Sequence, residues 1–481
     1  MHRVQSTVPP EVTRGRLRGL HVFEAGGECL AYDGASGALH WLDDVGRAVV
    51  AWLMDNPSSA GSDPVPDGLM DVLSGKFSES EIREAWREMN AAFGVTLFAP
   101  DETLVAHSVE EDRFSPIEAG LKSMCLDIAH DCNLSCAYCF ASQGSFGGEP
   151  SLMSKEVGKA AIDYFLDASK NRKYLDVDFF GGEPLLAFDT VRSVLLHAKR
   201  EGFRRGKEFR FTLTTNCTLL DDEKISFLRD HDVSLILSID GRSEVHDRMR
   251  PMRGGQPTHT LVVQRARAAA EAKGGKDYYI RGTYTKHNLD FDEDVKFLYR
   301  QGFRQISLEP AVGQGPWGLT RTDLPALRES YARLVGFWLD CHRSGDPFEF
   351  YHLNLGLHKG LCRERRVTGC GAGYEYVAVT PEGEIFPCHQ LVGRREYSMG
   401  DIRNGIHRKD LMRRFCESRV PRKPDCVSCW ARYLCGGGCH ARAVDSTGDL
   451  MKPDLLSCDF MKARLEYALL AQYSLATEGR P

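Results

Sequence analysis

Between Leu121 and Pro310, apolar runs of strand length alternate with stretches whose apolar residues recur at three- and four-residue steps. That alternation leaves few options, because short strands separated by crossover helices must lie parallel in one sheet, with functional groups gathered where the strands end. Six strands are expected, at Ser123–Ala129, Leu175–Phe180, Phe209–Thr215, Val233–Ile239, Tyr278–Thr285 and Gln305–Glu309, separated by helices such as Ala187–Glu201, Asp221–Asp230 and Leu261–Lys273. Such an α/β chain makes either an incomplete barrel or an open doubly wound sheet.

The flanks read differently. From Leu20 to about Pro100, two runs of β-formers surround a turn at Gly34–Gly37, and helical periods follow at Val45–Met54 and Glu79–Phe93. Asp55–Asp67 reads as a loop and the polar Asp101–Pro116 as a linker. After Leu324, a helix over Leu327–His342 leads into a region with ten of the sixteen cysteines and weak periodicity. Such a region needs metal coordination where apolar burial is thin. The expected domains are therefore 1–108, 115–322 and 323–481, which a length of 481 residues accommodates.

The amino-terminal stretch has no apolar signal-like core, and no segment approaches the roughly 18 apolar residues of a membrane span. A cytoplasmic protein is expected, in which sixteen thiols point to metal or catalytic work rather than disulfides. The net charge of -6 supplies no global field for nucleic acid, and no membrane partner is expected.

The first cysteine group is Cys132-x3-Cys136-x2-Cys139, directly after the first strand. Three thiolates on one short loop can hold three corners of a [4Fe–4S] cube and leave the fourth iron open to chemistry. Structural zinc is the alternative, but it wants four ligands and the only extra local donor is His130.

With Tyr138 before its last cysteine, this triplet resembles the signature of the radical S-adenosylmethionine (SAM) superfamily. Gly181-Gly182-Glu183-Pro184, ending the second strand, looks like that family's element for the amino group of SAM. Two glycines would admit close backbone approach, and Glu183 would offer a carboxylate to an ammonium. Thr214, Thr215 and Asn216 end strand three, and Ser238 with Asp240 ends strand four, where polar side chains resemble ribose contacts. Arg281 is placed to pair a carboxylate of SAM or substrate, and Glu309-Pro310 closes strand six. Each of these also suits a cap or turn.

The carboxy-terminal third holds Cys370, Cys388, Cys426-x2-Cys429-x5-Cys435-x3-Cys439 and Cys458. This order resembles the SPASM domain of peptide-modifying radical SAM enzymes; a zinc ribbon is the alternative. The resemblance implies one auxiliary [4Fe–4S] cluster on Cys370, Cys388 and Cys439, and another on Cys426, Cys429, Cys435 and Cys458, three clusters in all with the first. The remaining corner falls either to Cys362 or to a substrate thiolate. Cys29, Cys125, Cys217, Cys341 and Cys416 read as small buried residues.

The blocks HDCNLSCAYCFASQGSFGG, VDFFGGEPLL, FTLTTN, LSIDGRSEVHDRMRP, YYIRGTYT and GCGAGYEYVAVTPEGEIFPCHQLVG resemble the thioether-forming branch of these peptide maturases. Relatives there mature the small subunit of quinohemoprotein amine dehydrogenase or six-cysteine peptides. The fold implied is a partial (β/α)6 radical SAM barrel between a winged-helix-like peptide-recognition domain and a SPASM domain. The activity implied is reductive cleavage of SAM, hydrogen abstraction from a β- or γ-carbon, and bonding of a Cys sulfur to that carbon. The partners implied are a Cys-containing polypeptide whose leader adds a strand to a sheet edge, and an electron donor such as flavodoxin or ferredoxin. Other SPASM activities, carbon–carbon cross-linking or formylglycine formation, share these motifs. A zinc-stabilised peptide-binding scaffold without catalysis is the alternative of another class.

Overall fold

The computed structural model describes residues 19–59, 61–95, 116–313, 315–355 and 365–477. Cys362 and nearly all of the linker expected at Asp101–Pro116 lie outside the described residues.

The first unit is a three-stranded antiparallel meander, β1 (Leu20–Ala25), β2 (Glu28–Asp33) and β3 (Leu39–Trp41), followed by helices α1 (Asp44–Asp55), α2 (Asp67–Leu73) and α3 (Glu79–Val95). Gly26 and Gly27, at φ +60° and +84°, close a tight hairpin that the Gly34–Gly37 signal had overshadowed. The second connection is braced by the Asp33 carboxylate, which accepts from Ala35 N at 3.0 Å and Ser36 N at 2.8 Å. Helix α2 begins at Asp67, the last residue of the expected loop, where the sequence reading gave no helix. It buries only Leu69 and Leu73, too few apolar residues to establish a period.

The central sheet carries β4 (Ser123–His130), with the short β5 (Ser151–Leu152) beside it, then β6 (Tyr174–Gly181), β7 (Glu208–Thr215), β8 (Val233–Ser238), β9 (Tyr278–Tyr284) and β10 (Gln305–Pro310). Crossover helices α4 (Lys155–Ala168), α5 (Phe188–Arg204), α6 (Asp222–Asp230), α7 (His259–Ala272) and α8 (Phe291–Arg300) alternate with them. All six long strands run parallel and lie in chain order. A doubly wound sheet reverses its strand order partway. Unreversed order with right-handed crossovers puts the helices on one face and curls the sheet around the other, so the incomplete barrel is realised.

Strand alternation then divides the side chains. Val177, Phe179, Leu213, Leu235 and Leu237 are buried against the helices, whereas Asp178, Thr214, Ile236, Arg281 and Glu309 line a cavity on the inner face. The barrel sheet is lengthened at both edges by chain from beyond it. β11 (Glu349–Phe350) joins β10, and β12 (Tyr376–Val379) pairs parallel to β4, with Tyr376 opposite Ser123 and Val379 opposite Leu126. β13 (Glu384–Phe386) continues antiparallel from β12.

Apolar burial reaches further into the cysteine-rich region than its weak periodicity predicts. Helix α9 (Leu324–Arg343) packs along α10 (Leu455–Thr477), whose Phe460, Leu465, Leu469 and Leu470 join the barrel's core. Tyr331 and Tyr467 stack between them at 5.8 Å. No helix among the described residues is long and apolar enough to cross a membrane.

Candidate active site

β4 delivers the chain to a loop bearing Cys132, Cys136 and Cys139. Backbone bonds from Ser135 N to Pro251 O and Ala137 N to Met249 O, each 2.9 Å, fix this loop against the segment after β8. The Cys132 sulfur accepts from Leu134 N at 3.5 Å and Asn216 Nδ2 at 3.7 Å. Burial pushes the Cys132 thiol up to about 11 and that of Cys136 to about 12, the latter opposed by Arg250. A ligated metal deprotonates such thiols outright, and N–H donors directed at sulfur suit an iron–sulfur ligand. Among the described residues no three His, Cys, Asp or Glu side chains converge as a single metal ion requires. Three thiols on one loop, with N–H groups donating to the Cys132 sulfur, are the donor type that an iron–sulfur cluster takes.

The glycines that close β6 pack against the cysteine loop. A Cβ on Gly181, at φ +118°, would lie 2.4 Å from Ala129 O, and one on Gly182 would lie 2.1 Å from Asp131 O. Both positions are held to glycine by the backbone of the cysteine loop, which Gly182 N and Glu183 N bind at Ala129 O and Asp131 O. Both also line the cavity. Glu183 does not present its carboxylate there. It is fully buried and accepts from Thr215 Oγ1 at 2.8 Å, Asn216 N at 2.7 Å and Leu185 N at 3.1 Å. Burial outweighs these donors and lifts it to about 7. In this structure the Glu183 carboxylate ties the strand-two turn to the end of strand three. Pro184 is likewise buried, opening the short helical turn Pro184–Ala187.

Asp240 is likewise held by protein donors. Its carboxylate accepts from Tyr138 Oη, Arg250 Nε at 3.0 Å and Thr283 N at 2.9 Å, and it is fully buried. Tyr138 and Arg250 line the cavity, with the Arg250 guanidinium 5.4 Å from the Tyr138 ring centroid; Asp240 stands behind them. Thr214, Thr215, Asn216, Ser238 and Arg281 do line it. Asn216 also anchors the cysteine loop, donating to Asn133 Oδ1 at 2.9 Å.

The carboxy-terminal cysteines fall into two groups of neighbours. The Cys388 thiol is pushed up to about 12 by burial, with Cys439 and Cys370 adding to the shift. Cys458 is also pushed to about 12 by burial, and its added neighbours are Cys435, Cys426 and Cys429. One cavity of about 680 Å³ is lined by Cys132, Cys136 and Cys139 together with Cys435, Cys439 and Cys458. Of the cysteines outside the motifs, Cys125, Cys217 and Cys341 are buried, whereas Cys29 and Cys416 are only half-buried. Cys125 also reaches the cavity wall.

Two acids of the wall stand out, Asp178, which the motif reading missed, and Glu309, which it placed at the end of strand six. Asp178 faces inward from β6, and burial raises its carboxyl to about 6 against a hydrogen bond from Thr212. Glu309 accepts from His352 Nε2 at 3.1 Å and lies 3.8 Å from Arg281 and 3.7 Å from Arg464. Burial alone would raise Glu309, but these partners hold it well below the ordinary glutamate range. His352 Nδ1 in turn accepts from Tyr331, whose phenol lies 3.4 Å from that of Tyr284. The alternation of polar residues within β6 and β10 was the available signal for Asp178 and Glu309. His352 comes from a connection with no strand or helix period and gave none.

Residues 126–305 match the Radical SAM superfamily. The chain is 28% identical over 368 residues to the serine-type anaerobic sulfatase-maturating enzyme of Bacteroides thetaiotaomicron, covering 70% of this chain and 86% of that one. It is 22% identical over 371 residues to the radical SAM cyclopropyl synthase TigE of Paramaledivibacter caminithermalis, covering 73% and 75%. Its fold is that of native anSMEcpe with bound AdoMet and Cp18Cys peptide, at TM-score 0.61 and 20% identity, over 75% of this chain and 99% of that one.

Proposed function

We propose that this chain, whose residues 126–305 carry the radical SAM superfamily domain, is an enzyme that forms thioether cross-links within a ribosomally made polypeptide. The observation that carries the reading is the shared cavity of about 680 Å³, lined both by the Cys132–Cys139 triplet and by Cys435, Cys439 and Cys458. A space of that size takes a cofactor together with a peptide residue. Cys132, Cys136 and Cys139 would hold a [4Fe–4S] cluster whose free iron, together with SAM, supplies one-electron chemistry that opens a carbon–hydrogen bond. Cys370, Cys388 and Cys439, and separately Cys426, Cys429, Cys435 and Cys458, would hold two auxiliary clusters.

The chain's own residues do the positioning. Gly181 and Gly182 keep the strand-two turn against the cysteine loop, and Tyr138, held by Asp240, and Arg250 wall the cavity beside Cys136 and Cys139. Thr214, Thr215, Asn216 and Ser238 present hydrogen-bonding groups at the ends of strands three and four. Glu309, kept anionic by His352 and two arginines, is placed to pair a cationic or hydrogen-bond-donating group of the substrate. The lone edge of β3 suits a leader segment adding one strand, since backbone bonds make few demands on its sequence.

The resemblance of the sequence blocks supports the thioether product; sulfatase maturation is the reading favoured by the Bacteroides thetaiotaomicron relative. Mass spectrometry separates them. After anaerobic incubation of a Cys-containing peptide with SAM and reductant, loss of two hydrogens with protection of the thiol from alkylation is expected. Conversion of the cysteine to formylglycine, or a mass loss with the thiol still alkylatable, would reject the thioether.

A further inference from the structure

On the inner face of the barrel β9 and β10 run side by side, with Arg281 opposite Ser307 and Glu309 opposite Thr283. Arg281 and Glu309 are therefore diagonal neighbours on one face of the sheet. Both line the cavity, the first side chain 50% and the second 26% exposed. Their charged atoms stand 3.8 Å apart, beyond hydrogen-bonding length, so neither consumes the other's hydrogen-bonding capacity. The carboxylate is held from behind. Its Oε1 accepts from His352 Nε2 at 3.1 Å, and the fully buried His352 ring takes a hydrogen bond from Tyr331 at 3.0 Å. Gln472 fixes the same connection by donating to Leu353 O at 2.9 Å, and Arg464 stands 3.7 Å from Glu309 Oε2. One donor and one acceptor thus lie next to each other on a braced wall.

The charges decide what fits there. A carboxylate paired with Arg281 would stand about as close to Glu309, so attraction and repulsion of similar size oppose each other. An ammonium paired with Glu309 would meet the two guanidiniums in the same way. A neutral group that carries an N–H and a C=O side by side satisfies both residues without that conflict. A residue of an extended polypeptide is such a group, because its own N–H and C=O point to the same side, as in an antiparallel ladder. We propose that Arg281 and Glu309 clamp the main chain of one extended substrate residue, Glu309 accepting its N–H and Arg281 donating to its C=O. This rests on the reading of the cavity as the seat of a peptide. Such a clamp fixes a residue for reaction without reading its side chain.

The probe is radiolabelled N-acetylserine N-methylamide, with serine in place of cysteine so that no sulfur can bind iron. Equilibrium dialysis against the anaerobically reconstituted chain with SAM measures its binding. Saturable binding is expected, and Arg281→Met and Glu309→Gln should each weaken it roughly tenfold. Methylating the serine nitrogen removes the N–H. That change should cost the unaltered chain and Arg281→Met roughly tenfold but cost Glu309→Gln much less, a coupling that a merely structural role for Glu309 would not produce. Arg281→Met replaces a half-exposed side chain and stands alone as the test if Glu309→Gln does not yield folded protein. A methylation cost unchanged in Glu309→Gln, or binding undiminished in Arg281→Met, would overturn the clamp while leaving the peptide reading in place. Tighter binding of propionamide or of free N-acetylserine than of the methylamide would also overturn it, by assigning the site to a side-chain carboxamide or to a carboxylate. No saturable binding by the unaltered chain would overturn both the clamp and the seating of a peptide in this cavity.

Discussion

Asp178 shows how far a single residue's role depends on what surrounds it. In sequence it is one acid in a strand; in the fold it faces the cavity, and burial lifts its carboxyl from 3.8 to about 6. A carboxyl raised on folding binds more protons in the native state, so its penalty is absent at low pH and develops as pH rises through that range. Asp178→Asn should therefore stabilise the protein at pH 7.5 by roughly 1–3 kcal/mol and have little effect at pH 4. Thermal midpoints of the two forms at both pH values check this; an equal difference at both would contradict it. Glu183 and Asp240 were legible as polar residues at strand ends, but not as residues facing away from the cavity. Sequence position locates a strand end, whereas the donors that claim a carboxylate, Thr215 and Asn216 for one and Tyr138 and Arg250 for the other, come from elements far apart in the chain.

At the scale of elements, the strand–loop junctions carry the site. Gly181 combines a positive φ with a backbone neighbour 2.4 Å from any added Cβ. Gly181→Ala should displace the turn from the cysteine loop, costing roughly 1–3 kcal/mol for the strained backbone and at least tenfold in SAM cleavage. Anaerobic assay of 5′-deoxyadenosine formation measures it, and undiminished activity would show that the contact is dispensable. The six barrel strands were legible because each is an apolar run set between helical periods; their bounds agree within a residue or two. α10 was not, because its buried residues surround the helix without a single apolar stripe. β11 and β12 were too short to register, yet they join the cysteine-rich region to the barrel edges.

Across the whole molecule, the first unit docks beside the second cysteine group. His21 stacks on Trp430 at 4.1 Å and its Nε2 meets Glu466 at 2.8 Å, while Gly34 lies so near Trp430 that a Cβ would fall 2.2 Å from its carbonyl oxygen. Trp430 follows Cys429 directly, so the unit expected to read a leader touches the chain next to a proposed cluster ligand. Gly34→Val should release that contact. Faster hydrogen exchange over residues 20–33, with SAM cleavage unaffected, is the expected result; unaltered exchange would contradict the docking. The barrel strands could be read from the alternation of elements. The docking could not, since it depends on one glycine and two aromatic rings separated by some four hundred residues.

The account rests on the Cys132–Cys136–Cys139 triplet as the seat of SAM chemistry. Its most direct test is reductive SAM cleavage by anaerobically reconstituted chain, with and without those three cysteines replaced by Ala. The account predicts 5′-deoxyadenosine from the unaltered chain and none from the variant, which still retains its carboxy-terminal iron. Continued cleavage by the variant would contradict it.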